Sequence, residues 1–316
     1  MSAIRSALQR AEYLMCTAII CSKLDASELN TQIMALASVR DIEQVILIAP
    51  MENCDAINKK RYEKVIVLQP EYFNASYQRN VGLRHILDNK LKSVLLIDDD
   101  IEFQPEEING FLNRYKNSSH IAVGPRIDII GGPRPVTHNK LVTEILGGFG
   151  LYPMKEGMIA PSGWHKVAKS VDQRLSVEWL PTAFLFLPDA SRLKHECYFS
   201  AFVNSYYLED LEFSLRINSI GSLLYDGYFN VQTYARDKSD FGFGFSEIMN
   251  RYLIVKNDSR LNSKKFSVMV CFRIILNLKD SLMSCDRSVL LRLFGNFKAV
   301  FLIIFRNLKT VKRYGN

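Results

Sequence analysis

A chain of 316 residues that is 48% hydrophobic and 23% charged is expected to fold around a real core, as one large domain or a domain with an appendage, and its composition excludes a low-complexity chain. Its formal charge of +7 is uneven: from Arg251 onward there are 14 Lys and Arg against 3 Asp, a balance of +11 that leaves −4 for the preceding residues. A basic tail interspersed with Phe, Leu and Ile at helical spacing suits an anionic membrane surface, and that spacing argues against the competing partner, nucleic acid.

The six cysteines (Cys16, Cys21, Cys54, Cys197, Cys271 and Cys285) form no CxxC pair, which predicts free thiols in a reducing, cytosolic setting instead of disulfides or a zinc site. Near the start, Arg5 and Arg10 precede the run "YLMCTAIIC" and imitate a signal peptide, but Glu12 interrupts it and the run is expected to be a first core strand. No apolar stretch approaches the ~20 residues of a spanning helix. "VFLIIF" near the end is far too short, so any membrane contact is expected to be peripheral.

In chain order, "MCTAIICS" reads as a buried strand, "ASELNTQIMALASV" as a helix, "QVILIAP" and "KVIVLQP" as strands, "SYQRNVGLRHILDNK" as a helix and "SVLLID" as a strand. This alternation predicts an α/β fold with a mostly parallel central sheet flanked by helices, whose ligands bind beyond the carboxyl ends of the strands. Pro105, with Glu106 and Glu107 behind it, predicts a helix over "PEEINGFLNRYK". The passage from "GPRIDIIGGPRPVTHNK" to "GGFGLYP" is expected to be substrate loops. "WLPTAFLFLP" reads as a strand and "LEDLEFSLRINSIG" as a helix stopped by Gly221. From Phe241 the pattern becomes basic amphipathic helices, "FSEIMNRYLIVKN", "FSVMVCFRIILNLKDSLM" and "VLLRLFGNFKAVFLIIFRNLKTVKR". The expected organisation is a domain over 1–240, with halves of about 14–105 and 106–240, and a helical C-terminal region over 241–316.

Three polar groups stand out. The strand "SVLLID" ends in Asp98, Asp99 and Asp100. If extended backbone continues through them, Asp98 and Asp100 share a face and Asp99 points elsewhere, an arrangement suited to Mg²⁺ or Mn²⁺ with substrate phosphates; the plain alternative is an acidic loop capping the next helix. Arg79 and Asn80 lie in the helix feeding that strand, where an Arg offers its fork of donors to phosphate. Glu209 and Asp210 open a helix, where the macrodipole favours an ionised carboxylate able to take a proton from a hydroxyl, with Glu212 placed to pair with Arg216 one turn on.

In this order and spacing the chain resembles the family-2 glycosyltransferases of GT-A fold, from about Thr17 to Asn257. "QRNVGL" is similar to the family's ARNxG segment, "LLIDDDIEF" to its DxD strand, "WLPTAFLFLPDA" to its acceptor-side strand, "EDLEFSLRINSIG" to its ED segment and helix, and "NRYLIVKN" to the arginine-rich segment that follows. The resemblance, which points to the bacterial surface-polysaccharide type, implies that Asp98 and Asp100 hold Mn²⁺ or Mg²⁺ and the diphosphate, and that Asp210 is the base with Glu209 beside it. It further places Arg79, Asn80, Asp99, Ser22 and Glu52 at the donor, UDP-sugar favoured. Trp179 and Thr182 would meet the acceptor, a glycan or lipid-linked glycan, with configuration inverted.

Trp179 and Trp164 are equally readable as core packing. Two customary features differ. "LIAPMENCD" has no Asp pair, leaving Glu52 or Asp55 as nearest substitutes, and Gln232 and Thr233 stand where a metal-binding His is common, with His138, His165 and His195 as candidates to compensate. A nucleotidyltransferase lacks support because no glycine-rich phosphate loop is present near the N-terminus. A non-catalytic nucleotide- or sugar-binding module of the same fold remains the alternative.

Overall fold

The computed structural model describes residues 15–22, 26–50, 63–131, 140–193, 199, 207–234, 240–284 and 287–305. Strands β1 (Cys16–Cys21), β2 (Ile42–Ile48), β3 (Val65–Leu68) and β4 (Ser93–Asp98) pair in parallel in the order β3-β2-β1-β4, connected in sequence with helices α1 (Ala26–Ser38) and α2 (Ala75–Asp88). Their sequences are nearly all apolar because both faces of the sheet are covered. Ala18, Ile20, Val45, Leu47, Leu95 and Ile97 pack with Leu29, Ile33 and Leu36 of α1. On the opposite face Ile19, Ile46, Ile48, Val94 and Leu96 pack with Leu83 and Ile86 of α2.

The alternation decides which way the strand ends aim. Continuing the parity of Val94 and Leu96, Asp98 leaves β4 on the α2 side of the sheet.

The second half is mixed. After β5 (Ile101–Glu102) and α3 (Pro105–Tyr115), where Pro105, Glu106 and Glu107 occupy the first turn as expected, come β6 (Ala122–Ile130), α4 (Lys140–Gly148), β7 (Arg174–Val177), β8 (Phe184–Leu187), α5 (Glu209–Ile217) and β9 (Leu223–Tyr234). The sheet runs β3-β2-β1-β4-β8-β6-β9-β5, with β7 also on β9. β8 is antiparallel to β4 and β6, whereas β6 and β9 are parallel.

Two sequence expectations are corrected here. The passage taken as loops contains β6 and α4, because Pro125 sits beside a register shift in the β6–β9 ladder, where its missing N–H interrupts no regular pairing. β9 lies where no element was expected, its apolar alternation broken by Asp226 and Gly227. Asp226 is fully buried and satisfied: its Oδ2 accepts from Tyr115 Oη at 2.7 Å and from Arg114 at 3.0 Å, which ties α3 to β9.

The C-terminal region forms α6 (Phe241–Asn257), α7 (Ser263–Ser284) and α8 (Arg287–Phe305), with the Asp240 side chain capping α6 by accepting from Phe243 N at 2.6 Å. Ile248, Met249, Phe266, Met269 and Ala299 build a shared core with Leu146, Leu151 and Trp164. The expectation that no segment is long enough to span a bilayer is also corrected. Among the described residues one helix, Arg287–Phe305, is long and apolar enough by length and composition to cross a membrane, and little of it is buried. Helical continuity carries the apolar character across Arg292 and Lys298, which had divided it into short runs in the sequence.

Candidate active site

The site forms where β1 and β4 end. Strand geometry stops at Asp98, and Asp99 and Asp100 occupy a turn, so the two-residue alternation expected to pair Asp98 with Asp100 does not extend to them. Asp98 instead faces α2, where its Oδ1 accepts from Arg79 Nη2 at 2.8 Å. Asp99 turns toward β1 and accepts from Ser22 Oγ at 2.6 Å. Backbone groups of the same turn are held from α1, since Gln32 Nε2 donates to Asp98 O at 2.7 Å.

Arg79 reaches this point because α2 lies unusually close to the sheet. A Cβ on Gly82 would stand 2.8 Å from Ile19 Cγ2 and 2.9 Å from Ile48 Cδ1, so only glycine permits the approach. One position before Arg79, Gln78 Nε2 donates to Ser22 O and Ile48 O, binding the ends of β1 and β2 together. Asn80 clasps the backbone of Phe199, donating to its carbonyl at 2.7 Å and accepting from its N–H at 2.8 Å. The segment "QRNVG" therefore joins the ends of β1 and β2 to Phe199.

The second carboxylate group arrives at the start of α5. Leu208, buried in a cluster with Trp179, Leu211, Leu215 and Ile254, takes φ +74° immediately before Glu209. Such a conformation is costly for leucine and marks a strained entry to the helix. Glu209 Oε1 lies 3.4 Å from Arg79 Nη1, 130 residues away along the chain, so one guanidinium bridges Asp98 of the aspartate turn and Glu209 of the ED pair. Burial alone would lower the pKa of Arg79. The adjacent carboxylates of Asp98 and Glu209 more than reverse this, and the guanidinium stays firmly charged. Asp210, the next residue after Glu209, is half-buried, with Oδ1 accepting from Leu211 N at 2.7 Å.

Behind α5 stands a group that sequence reading left out of its site residues. Arg251 of α6 is 1% exposed, donates to Gly163 O, lies 4.3 Å from the centre of the Trp164 ring, and places its charge near Asp210. Burial lowers its pKa below the usual arginine value. Glu247, one turn earlier, is 3% exposed and paired with Arg273 of α7 at 3.2 Å and Arg292 of α8 at 3.0 Å. Burial pushes the Glu247 carboxyl up, but Arg273, Arg292 and Arg251 outweigh it and bring the pKa to about 2. The available signal was that Glu247 is the sole glutamate after Phe241 in a strongly basic region.

Other sequence candidates fall as follows. Trp179 is 4% exposed, its Nε1 donating to Lys166 O and its ring meeting His165 at 4.3 Å; Thr182 is 2% exposed and Trp164 6%, so all three are core residues with no open face for a sugar. His165 is half-buried next to Arg251, and desolvation together with that charge holds its pKa well below the ordinary value. Glu52, Asp55, His138 and His195 lie outside the described residues. Gln232 and Thr233 fall on β9 opposite Glu102 and Ile101 of β5. Gln232 lines a cleft of about 900 Å³ together with Gln32, Asp99, Asp100, Glu107 and Tyr234, and among the described residues no Lys or Arg lines it.

The donor chemistry fits a hard divalent cation. Among the described residues no group of three or more His, Cys, Asp or Glu is arranged to hold an ion. The turn nevertheless offers oxygen carboxylates, and Mg²⁺ or Mn²⁺ commonly needs only one or two of these, with substrate phosphates and water completing the shell.

No protein-family profile matches the sequence, and no curated protein matches it. Solved structures match in three dimensions. The chain has the GT-A fold, a Rossmann-like sheet of the kind carried by nucleotide-sugar glycosyltransferases. GalNAc-T7, crystallised with UDP, GalNAc and Mn²⁺, aligns over 79% of this chain at 16% identity with a TM-score of 0.56; the chain spans about half of that protein's length, 49%. The mannosyltransferase PcManGT from Pyrobaculum calidifontis, in complex with GDP-Man and Mn²⁺, aligns over 92% of this chain and 88% of its own at 9% identity and a TM-score of 0.54. S. aureus TarS 1-349 with UDP-GlcNAc aligns over 95% and 78% at 13% identity and a TM-score of 0.51. Identities this low establish a shared fold.

Proposed function

We propose that the protein is an inverting glycosyltransferase that moves a sugar from a nucleotide-diphosphate donor, UDP-sugar favoured, to a hydroxyl of a growing, lipid-linked surface glycan. The observation that carries this reading is the Arg79 bridge. It ties Asp98 and Glu209 to one guanidinium, which supports reading the aspartate turn as the diphosphate side and the neighbouring ED pair as the source of the base.

In this reading Asp98 and Asp100 would hold Mn²⁺ or Mg²⁺ together with the diphosphate, which requires the turn after β4 to bring Asp100 round to Asp98, whose Oδ1 accepts from Arg79. When bound, the metal neutralises charge developing on the departing diphosphate. Ser22 fixes Asp99 at the donor side, and Arg79 keeps a fixed positive charge between Asp98 and Glu209. Asp210, at the first turn of α5, takes the proton from the acceptor hydroxyl as that oxygen attacks the anomeric carbon, and Glu209 holds the turn in place through Arg79. A single displacement inverts the configuration. Trp179, buried and without an open face for a sugar, supports the α5 turn from beneath by packing in one cluster with Leu208 and Leu211.

Residues 1–240 form the catalytic unit in this reading, and 241–316 set it on the cytoplasmic face of a membrane, where a lipid-linked acceptor is presented. No nucleic acid partner is invoked. The test is a thermal-shift screen of the full chain with UDP, GDP, CDP, dTDP and UMP, each with and without Mn²⁺. A metal-dependent rise with one diphosphate, lost in Asp100→Ala, is expected; no shift with any nucleotide at millimolar concentration refutes the reading.

A further inference from the structure

The two C-terminal helices are unlike the rest of the molecule in what they leave uncovered. On α8, Phe294, Phe301 and Phe305 are 53%, 57% and 69% exposed, and on α7, Ile275 and Leu282 are 62% and 73% exposed. Apolar faces this continuous are uncommon on a soluble monomer. The exposed charged side chains on the pair, among the described residues, are all cationic: Lys264, Lys279, Arg287 and Lys298.

The opposite face of α8 is fastened down. Gly244 of α6 and Gly295 of α8 meet at a crossing so close that a Cβ on either would come within 2.1 or 2.2 Å of the other helix's backbone. Asn277 Nδ2 donates to Asn296 Oδ1 at 3.0 Å, Asn296 Nδ2 donates to Gly244 O at 3.3 Å, and Arg292 is paired with the buried Glu247. Asn277 lies seven residues before the end of α7 at Ser284 and Asn296 nine residues after the start of α8 at Arg287, so their bond sets the two helices side by side as an antiparallel hairpin. To cross a bilayer, α8 would have to abandon this crossing, leave Arg292 and two asparagines without their partners and strip Glu247 of one of its two paired arginines.

We infer that the α7–α8 hairpin is an in-plane docking surface for an anionic lipid bilayer, sinking the exposed faces of both helices into the headgroup boundary while the crossing with α6 stays intact. Charge selects the occupant. A second copy laid face to face would set cation against cation, whereas an anionic surface neutralises Lys264, Lys279, Arg287 and Lys298. This deepens the membrane part of the reading above, and it does not depend on the chemistry assigned to Asp210. Physically, α8 has the hydropathy of a spanning helix and the packing of a surface one, and buried polar partners decide between the two.

The experiment is cosedimentation of the full chain with vesicles of phosphatidylcholine alone and of phosphatidylcholine with phosphatidylglycerol, across a salt series. Binding to the anionic vesicles, weakened by salt and released by alkaline carbonate, is expected. The double variant Phe294→Ser/Phe301→Ser should weaken binding by about tenfold or more, with its nucleotide-induced thermal shift unchanged because both rings are exposed. Alkylation of the exposed Cys271 on α7, followed by peptide mass spectrometry, should slow on vesicle binding. Absence of binding to anionic vesicles overturns the inference, as does binding indifferent to the Phe substitutions. Carbonate-resistant protein means that α8 spans, and a dimer broken by the same substitutions without change in vesicle binding means that the face is self-complementary; either also overturns it. Vesicle binding without any nucleotide shift would sink the transferase reading and leave this one standing.

Discussion

Replacing Glu247 with Gln isolates the charge network that fastens α7 and α8 to α6. The substitution keeps the side-chain shape, so no cavity forms, but Arg273, Arg292 and Arg251 lose their shared anion. Two routes give the magnitude. Breaking a buried ion pair by removing one partner costs about 3–5 kcal/mol. Independently, a carboxyl that titrates at about 2 when folded and at about 4.3 when unfolded gains roughly 3 kcal/mol at neutral pH, at about 1.36 kcal/mol per pH unit. Because the folded pKa is depressed, this stability is fully present above the unfolded value and is lost as pH falls from about 4.3 toward 2. Urea unfolding of both proteins should therefore show Glu247→Gln less stable by about 3 kcal/mol at pH 7. The gap should hold to about pH 5 and close as the wild-type carboxylate protonates. A gap under about 1 kcal/mol at pH 7, or one that stays constant between pH 5 and pH 3.5, would refute the reasoning.

Asp210→Asn should reduce transfer by about 10²–10⁴-fold while retaining the nucleotide-induced rise in melting temperature, measured by donor turnover and thermal shift on the same preparation. Arg79→Lys keeps the charge but loses the fork that spans Asp98 and Glu209; a stability loss of about 1–3 kcal/mol and a smaller nucleotide shift are expected, and an unchanged protein would show that the bridge is dispensable. For Gly82→Ala, whose new methyl would meet Ile19 and Ile48, calorimetry should show destabilisation of about 1–3 kcal/mol, together with weaker nucleotide binding as α2 and Arg79 are pushed from the sheet.

Much of the first half of the fold was legible because its information is local. Runs such as "TAIIC" and "SVLLID" are apolar on both alternations, which only a strand covered on both faces requires, and Pro105 with two glutamates marks a helix start. The second half was less so. β6 carries Pro125 at a register shift, and β9 carries a buried Asp226 whose cost is offset by Tyr115 and Arg114 more than a hundred residues away. No window centred on β9 contains those partners. The expected alignment of Asp98 with Asp100 failed for a related reason: where the backbone leaves the strand is set by the turn into β5, and with it which way each carboxylate points.

By itself the sequence determined the types of residue at the ends of the strands and the start of α5, since spacing, strand periodicity and helix-end charge preference are properties of neighbours along the chain. The tertiary structure alone decided that Asp98 and Glu209 share one arginine, that Glu247 neutralises arginines from two further helices, and that Trp179 faces the core. The physical reason is that the energy of a buried charge or ring depends on which groups surround it after packing, and those groups come from segments with no local relation to it.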